Sequence, residues 1–185
     1  MHLKEGQLAP DFTVTDISNK VFKLSELKGK RIIIGFYRHT SCPFCNLRLF
    51  KIKSKSEEFR KQGIEMVFFF ENTNKKLQES LFHSEVSPWP LIGDPEKKIY
   101  NLYGVERSIL KTIRTFISVN YKSVKEEAKA LNLPEEEDYS LTLMPADFFI
   151  NEEFKIVKAH YGQHLDGHVP LKDLFDFAGI KFLIE

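Results

Sequence analysis

Two stretches of the chain are apolar at almost every position, Arg31-Ile32-Ile33-Ile34-Gly35-Phe36-Tyr37 and Ile64-Glu65-Met66-Val67-Phe68-Phe69-Phe70. Runs of this kind are strands covered on both faces, as inside a parallel sheet. Between them, from about Pro43 to Gln62, Leu47, Phe50, Ile52 and Phe59 recur among Lys, Arg, Ser and Glu. That pattern predicts one helix, and Gly63 stands where a helix takes its C-terminal cap. Strand, helix and strand with tight junctions imply a right-handed parallel crossover.

The flanking pattern fits around this unit. Phe12, Val14 and Ile17, then Val21, Phe22 and Leu24, form two short apolar runs on either side of Asn19-Lys20. This predicts an N-terminal β-hairpin, followed by a helical turn around Ser25–Leu27. Asn72 or Thr73 can cap a helix over residues 75–82. Leu91-Ile92 is a short strand, and Asp94-Pro95-Glu96 predicts another helix with Pro95 in its first turn, stopped by Gly104. Trp89, the single tryptophan, lies on a loop between prolines and either fills the core or lines the site edge. Residues 106–140 break the rhythm. Ile109, Leu110, Ile113, Phe116, Ile117 and Val119-Asn120-Tyr121 predict one amphipathic helix and Val124 to Leu131 a second, ahead of an acidic loop at Glu135-Glu136-Glu137-Asp138. This helical insertion is read as a lid, a dimer surface or a partner site. Ala146–Ile150 and Lys155–His160 then predict a hairpin turning at Asn151-Glu152-Glu153, and a last helix runs from Pro170 or Leu171 to Phe177.

At 185 residues and 42% hydrophobic, with seventeen Phe, the chain is expected to be one domain over 1–185 with an aromatic core. A net charge of +1 argues against a general nucleic-acid or membrane-surface binder. No apolar run approaches the ~20 residues of a membrane span. The opening Met1-His2-Leu3-Lys4-Glu5-Gly6 lacks the features of a signal peptide, so a cytoplasmic location is expected.

Both cysteines, Cys42 and Cys45, lie in Arg38-His39-Thr40-Ser41-Cys42-Pro43-Phe44-Cys45-Asn46, where the first buried strand gives way to the helix. The first turn of a helix leaves N–H groups unpaired and carries partial positive charge. A thiolate there has a lowered pKa and attacks readily, and Arg38 and His39 could add positive charge. The second cysteine, one turn further in, can attack a mixed disulfide formed at the first. The chemistry this predicts is a dithiol–disulfide redox cycle. Half of a zinc site completed by histidines, a structural disulfide and two inert thiols are the plainer readings. His160, His164 and His168 recur every four residues, but Gly162 and Gly167 argue for a loop rather than a metal-binding helix face, and no metal or cofactor is expected. Glu71 ends the second buried strand, on the sheet edge that also carries Cys42. It is read either as a proton carrier near the dithiol or as a solvated strand-end carboxylate. Met144-Pro145 precedes the penultimate strand, and its X-Pro bond is a candidate for the cis form.

Gly6-Gln7-Leu8-Ala9-Pro10-Asp11-Phe12, the Ile-rich strand, Phe36-Tyr37-Arg38 and Cys42-Pro43-Phe44-Cys45-Asn46 resemble the redoxin branch of the thioredoxin superfamily. More closely they resemble the peroxiredoxin-like subgroup of the alkyl hydroperoxide reductase/thiol-specific antioxidant family. Pro90-Leu91-Ile92-Gly93-Asp94-Pro95 with Tyr103-Gly104-Val105, and Pro145-Ala146-Asp147-Phe148-Phe149-Ile150, are similar to further signatures of these proteins. The resemblance covers most of the chain except 106–140. It implies an α/β thioredoxin-like fold: a central mixed β-sheet flanked by helices, with an N-terminal β-hairpin extension and the helical insertion. It also implies Cys42 as attacking thiol, Cys45 as resolving thiol and Pro145 as a cis-proline facing them. The sequence departs from the family pattern around the thiols. Aligned on Phe36-Tyr37, Arg38 replaces a proline, Cys42 replaces a threonine and Cys45 falls at the peroxidatic position. The arginine that peroxiredoxins take from a later strand is missing, and Gly35 stands for thioredoxin's buried aspartate.

The function expected is a thiol–disulfide oxidoreductase or thiol-dependent hydroperoxide reductase, recharged by thioredoxin or glutathione, with a homodimer among its allowed assemblies. The rival from another class is a non-catalytic redox sensor or adaptor that binds a partner through the 106–140 helices.

Overall fold

The computed structural model describes residues 1–80, 82–83, 88–133 and 141–181. Its centre is a five-stranded mixed sheet in the order β5-β4-β3-β6-β7, built from β3 Arg31–Phe36, β4 Ile64–Phe70, β5 Leu91–Gly93, β6 Ala146–Ile150 and β7 Ile156–Tyr161. β3, β4 and β5 run parallel, while β6 lies antiparallel to β3 and β7 antiparallel to β6. A separate hairpin pairs β1 Thr13–Thr15 with β2 Val21–Lys23, and its turn holds Asn19 at a positive φ of 59°. This is the expected α/β thioredoxin-like architecture with its N-terminal hairpin.

Alternation along the strands sorts the side chains onto two faces. Ile33, Tyr37, Met66, Phe68 and Phe70 join one buried cluster, and the two cysteines belong to it. Ile32, Ile34, Phe36, Val67 and Phe69 join the other. Trp89 belongs to the first cluster, with its ring edge-on to Phe59 and Phe68.

Three local features differ from the pattern-based expectation. The helix expected over 43–62 is two helices, α1 Pro43–Lys53 and α2 Ser56–Lys61. The Lys55 N–H bonds back three residues to the Ile52 carbonyl, and the Ser54 hydroxyl donates to the Lys51 carbonyl. These tightened contacts close α1, and Phe59 in α2 is fully buried. The helix expected to open at Asp94-Pro95 begins later, as α4 Lys98–Leu102, after the short α3 Asn74–Glu79. Asp94 stays outside α4 and its carboxylate accepts from the N–H groups of Lys98, Ile99 and Tyr100, which leaves those first-turn donors satisfied. The Met144–Pro145 peptide is trans, as is every described peptide bond. The Met144 N–H donates to the Glu106 carbonyl at 3.0 Å, and Ala146 enters the sheet opposite Phe36. The chain passes from the Arg107–Leu143 bridge into β6 through this trans bond.

The insertion forms α5 Ile109–Ser118 and α6 Tyr121–Ala130, and its acidic run lies outside the described residues. α5 is amphipathic, but it buries its polar side. Thr112 and Thr115 are buried, whereas Ile109, Leu110, Ile113 and Ile117 are exposed. Each threonine hydroxyl has work inside. That of Thr112 donates to the Leu141 carbonyl, and that of Thr115 accepts from the Leu165 N–H. α6 lies along α1, with Ala128 and Leu133 packed on Leu47. α7 Leu171–Ala178 closes the structure and ends at Gly179, in the left-handed region. No helix among the described residues is long and apolar enough to cross a membrane.

Candidate active site

The turn from β3 into α1 is pinned before the cysteines are reached. The Arg38 carbonyl accepts from the Glu71 N–H, the Thr40 N–H donates to the Asn72 side chain, and the Asn46 side chain donates to the Thr40 carbonyl. These bonds fix Cys42 as the N-cap of α1, with Pro43 following in the first turn. The Cys42 sulfur accepts the Cys45 N–H at 3.2 Å and an Arg38 Nη2 donor at 2.8 Å. Cys42, Cys45 and Arg38 are all buried.

The two thiols are electrostatically unequal. Burial pushes the Cys42 pKa up, but hydrogen bonding from the Cys45 thiol, the Arg38 charge and the Cys45 N–H outweigh it, and the pKa falls from 9.0 to about 7. Burial drives Cys45 well above the ordinary range, and its hydrogen bond to Cys42 and the Cys42 charge drive it further. Cys42 is therefore the thiolate and Cys45 the thiol that donates to it. His39 adds no charge here. Burial and the neighbouring Arg38 cation push its pKa down to about 3, so it is neutral. One measurement checks the asymmetry: the ultraviolet thiolate absorbance of the reduced protein is expected to titrate with a midpoint about 7, and Cys42→Ser is expected to remove that step. A first midpoint near the ordinary thiol value would contradict this geometry.

Glu71 does not reach the sulfurs as a free carboxylate. Its Oε2 pairs with Lys97 at 3.3 Å and Arg107 at 3.8 Å, so strand end and insertion are tied together there. Pro145 is buried and its carbonyl accepts from the Gly162 N–H at 2.8 Å. Its neighbour Met144 shares the cysteines' cluster. His160 Nε2 is bonded to the Gly167 carbonyl and His168 is turned to Asp147. Among the described residues no three His, Cys, Asp or Glu side chains are placed to hold a metal ion.

A second polar cluster, which the sequence pattern did not single out, lies in the same core. Asp147 sits on β6 directly opposite Gly35 of β3. Its carboxylate accepts from His168 Nδ1 at 2.9 Å and the Val169 N–H at 2.8 Å, with Arg48 Nη2 at 3.6 Å. Burial opposes ionisation of Asp147, but His168 and Arg48 outweigh it and hold its pKa below the usual carboxylate range. A carboxylate is thus buried beside Gly35, but the neighbouring strand supplies it. Gly35 has its own steric reason to lack a side chain, since a Cβ would meet the Tyr37 ring at 2.8 Å and the Phe68 ring at 3.1 Å. Tyr37 in turn packs on His168, with ring centroids 4.5 Å apart. A lone acid inside the apolar run of β6 was the available signal for this cluster.

The insertion covers the dithiol. Tyr121 of α6 packs on Phe44, which lies between the two cysteines, and on Phe116 of α5. What remains is a cavity of about 10 Å³ lined by residues that include Arg38, Ser41, Pro43, Phe116 and Tyr121. That is about the room one water needs.

Residues 6–159 match the model of the AhpC/TSA family. A Mycobacterium tuberculosis H37Rv protein provisionally named a peroxiredoxin is 24% identical over 170 residues, 90% of each chain. Peroxiredoxin Q of Populus jackii is 27% identical over 111 residues, 60% of this chain and 52% of that one. In fold, the crystal structure of peroxidoxin BcpB from Mycobacterium tuberculosis superimposes with a TM-score of 0.66 at 16% identity, covering 96% of both chains.

Proposed function

Since the chain belongs to the AhpC/TSA family, we propose that it is a thiol peroxidase in which Cys42 attacks the hydroperoxide and Cys45 resolves. The observation that carries this assignment is the unequal pair: a Cys42 sulfur held by Arg38 at 2.8 Å and by the Cys45 N–H at 3.2 Å, beside a thiol that stays protonated. The Cys42 thiolate attacks the terminal peroxide oxygen and the O–O bond breaks. Cys42 becomes a sulfenic acid, and the alkoxide or hydroxide leaves and takes a proton. The Cys45 sulfur then attacks the sulfenic sulfur, expels water with the thiol proton and forms the Cys42–Cys45 disulfide. Two electrons from an external thiol, with thioredoxin or glutathione as donors of that chemistry, restore the pair. Arg38 also points a buried cation at the reacting centre, where negative charge builds on the departing oxygen. It takes the part of the later-strand arginine that this sequence lacks.

The test is rapid mixing of reduced protein with one equivalent of hydrogen peroxide, with thiols counted over time. The expected result is loss of two thiols per peroxide, far faster than from an ordinary exposed cysteine, ending in an intramolecular disulfide. Loss at the rate of free cysteine would remove the peroxidase reading and favour a non-catalytic redox sensor.

A further inference from the structure

Arg38 is 2% exposed. Its one hydrogen-bonded counter-charge among the described residues is the Cys42 sulfur, and its Nε has no hydrogen-bond partner. The nearby acids are engaged elsewhere, Glu71 with Lys97 and Arg107, and Asp147 with Arg48 and His168. The Phe44 ring, 5.8 Å from the guanidinium carbon, offers a weak cation–π contact. In the reduced protein the Cys42 thiolate therefore neutralises a buried cation. In the disulfide both sulfurs are neutral, and the same cation is left buried without a counter-charge. An uncompensated buried charge is among the costliest defects a core can hold. The reduced state is favoured by that difference, and a disulfide whose reduced form is stabilised is an oxidising one.

We propose that the Cys42–Cys45 disulfide is a strong thiol oxidant because Arg38 is stranded by its formation, so that the oxidised protein passes its disulfide to an acceptor dithiol and relays oxidising equivalents from a hydroperoxide. Transfer proceeds by ordinary exchange. An acceptor thiolate attacks one sulfur of the disulfide, and a mixed disulfide forms as the other sulfur leaves. The second acceptor thiol then releases the protein, which ends as a dithiol while the acceptor ends as a disulfide. Two electrons move, and the acceptor's protons pass to the protein thiol and to solvent. The relay rests on the peroxidase reading only for the source of its oxidising equivalents, whereas the strength of the disulfide is a property of Arg38.

The test keeps those two apart by forming the disulfide with diamide rather than peroxide. Wild type, Arg38→Lys and Arg38→Met are equilibrated with buffers of reduced and oxidised glutathione, and the dithiol fraction is read by mass after acid quench. Arg38→Met is expected to shift the equilibrium at least tenfold toward the disulfide, about 30 mV for a two-electron couple. Arg38→Lys, which keeps the charge, is expected to stay nearer wild type. A shift under twofold for Arg38→Met overturns the proposal. A companion measurement needs no variant: oxidised wild type is expected to melt below reduced wild type, and an oxidised form that melts higher overturns it equally. For the transfer itself, a reduced peptide of Cys-x-x-Cys sequence mixed with one equivalent of the oxidised protein is expected to end mostly as peptide disulfide. A peptide that stays mostly reduced at equilibrium overturns the relay.

Discussion

Cys42→Ser is expected to lower the rate of peroxide reduction by at least about a hundredfold, as loss of the nucleophile does in other covalent mechanisms. Cys45→Ser is expected to keep the first step and stop there. It should consume a single peroxide equivalent, hold the sulfenic acid on Cys42 and form no intramolecular disulfide. The difference follows from geometry, since Arg38 and the Cys45 N–H both aim at the Cys42 sulfur. Matching Phe36-Tyr37 to the family's Phe-Tyr pattern points the other way, because Cys45 then falls at the peroxidatic position. The measurement therefore decides between local electrostatics and alignment. Residual activity in Cys42→Ser has a physical source too. Arg38 then has no thiolate beside it, and the Cys45 thiol loses the charge that opposes its ionisation. Fast single-equivalent oxidation of Cys42→Ser, with Cys45→Ser inert, would assign the attack to Cys45.

Asp147→Asn is expected to cost about 3–5 kcal/mol of stability, the range for breaking a buried ion pair by removing one partner. Asn keeps the shape but leaves Arg48 as a buried cation facing a neutral group. For a chain of this size the loss corresponds to a fall in melting temperature of about 2–4 °C per kcal/mol. Urea denaturation checks it as a lower midpoint with an unchanged slope. Adding Arg48→Met should recover part of the loss, because the uncompensated charge is gone and the two changes share one network. The pH dependence has a definite sign. Asp147 has a lowered pKa in the folded state, so its contribution is complete above the ordinary carboxylate range and drains away as pH falls below it. Wild type and Asp147→Asn should therefore converge in acid. A loss below about 1 kcal/mol at neutral pH would show that the cluster is not a structural ion pair of this kind.

The strand–helix–strand unit could be read from sequence because nothing competes with it. Ile32–Phe36 and Ile64–Phe70 have no polar face to be confused with, and Gly63 takes its cap at a φ of 68°. The two cysteines announced themselves by spacing and by the junction they occupy. What escaped depends on partners far apart in sequence. Asp147 reads as one acid in an apolar strand until Arg48 and His168 close on it from α1 and from the loop before α7. The break between α1 and α2 escaped because Ser54 and Lys55 carry no stop signal, and a three-residue hydrogen bond there ends the helix without glycine or proline. The orientation of α5 escaped too. Periodicity finds an apolar face without saying where it points, and the bonds of two threonine hydroxyls to the Leu141 carbonyl and the Leu165 N–H hold the polar side inward. The trans bond before Pro145 is invisible to any pattern, since both isomers fit the same residues.

The placement of Cys45 one helical turn from Cys42 bears on how the protein fails. A sulfenic acid that waits for a distant partner to unfold and swing in is exposed to a second peroxide, which drives it irreversibly to the sulfinic acid. Here the backbone N–H of Cys45, the proposed resolving residue, already donates to the Cys42 sulfur at 3.2 Å in the first turn of α1. The proposed cycle consequently has almost no window for overoxidation. A protein working by that cycle is expected to tolerate a high peroxide dose and keep turning over, its activity bounded by the supply of reductant rather than by self-inactivation.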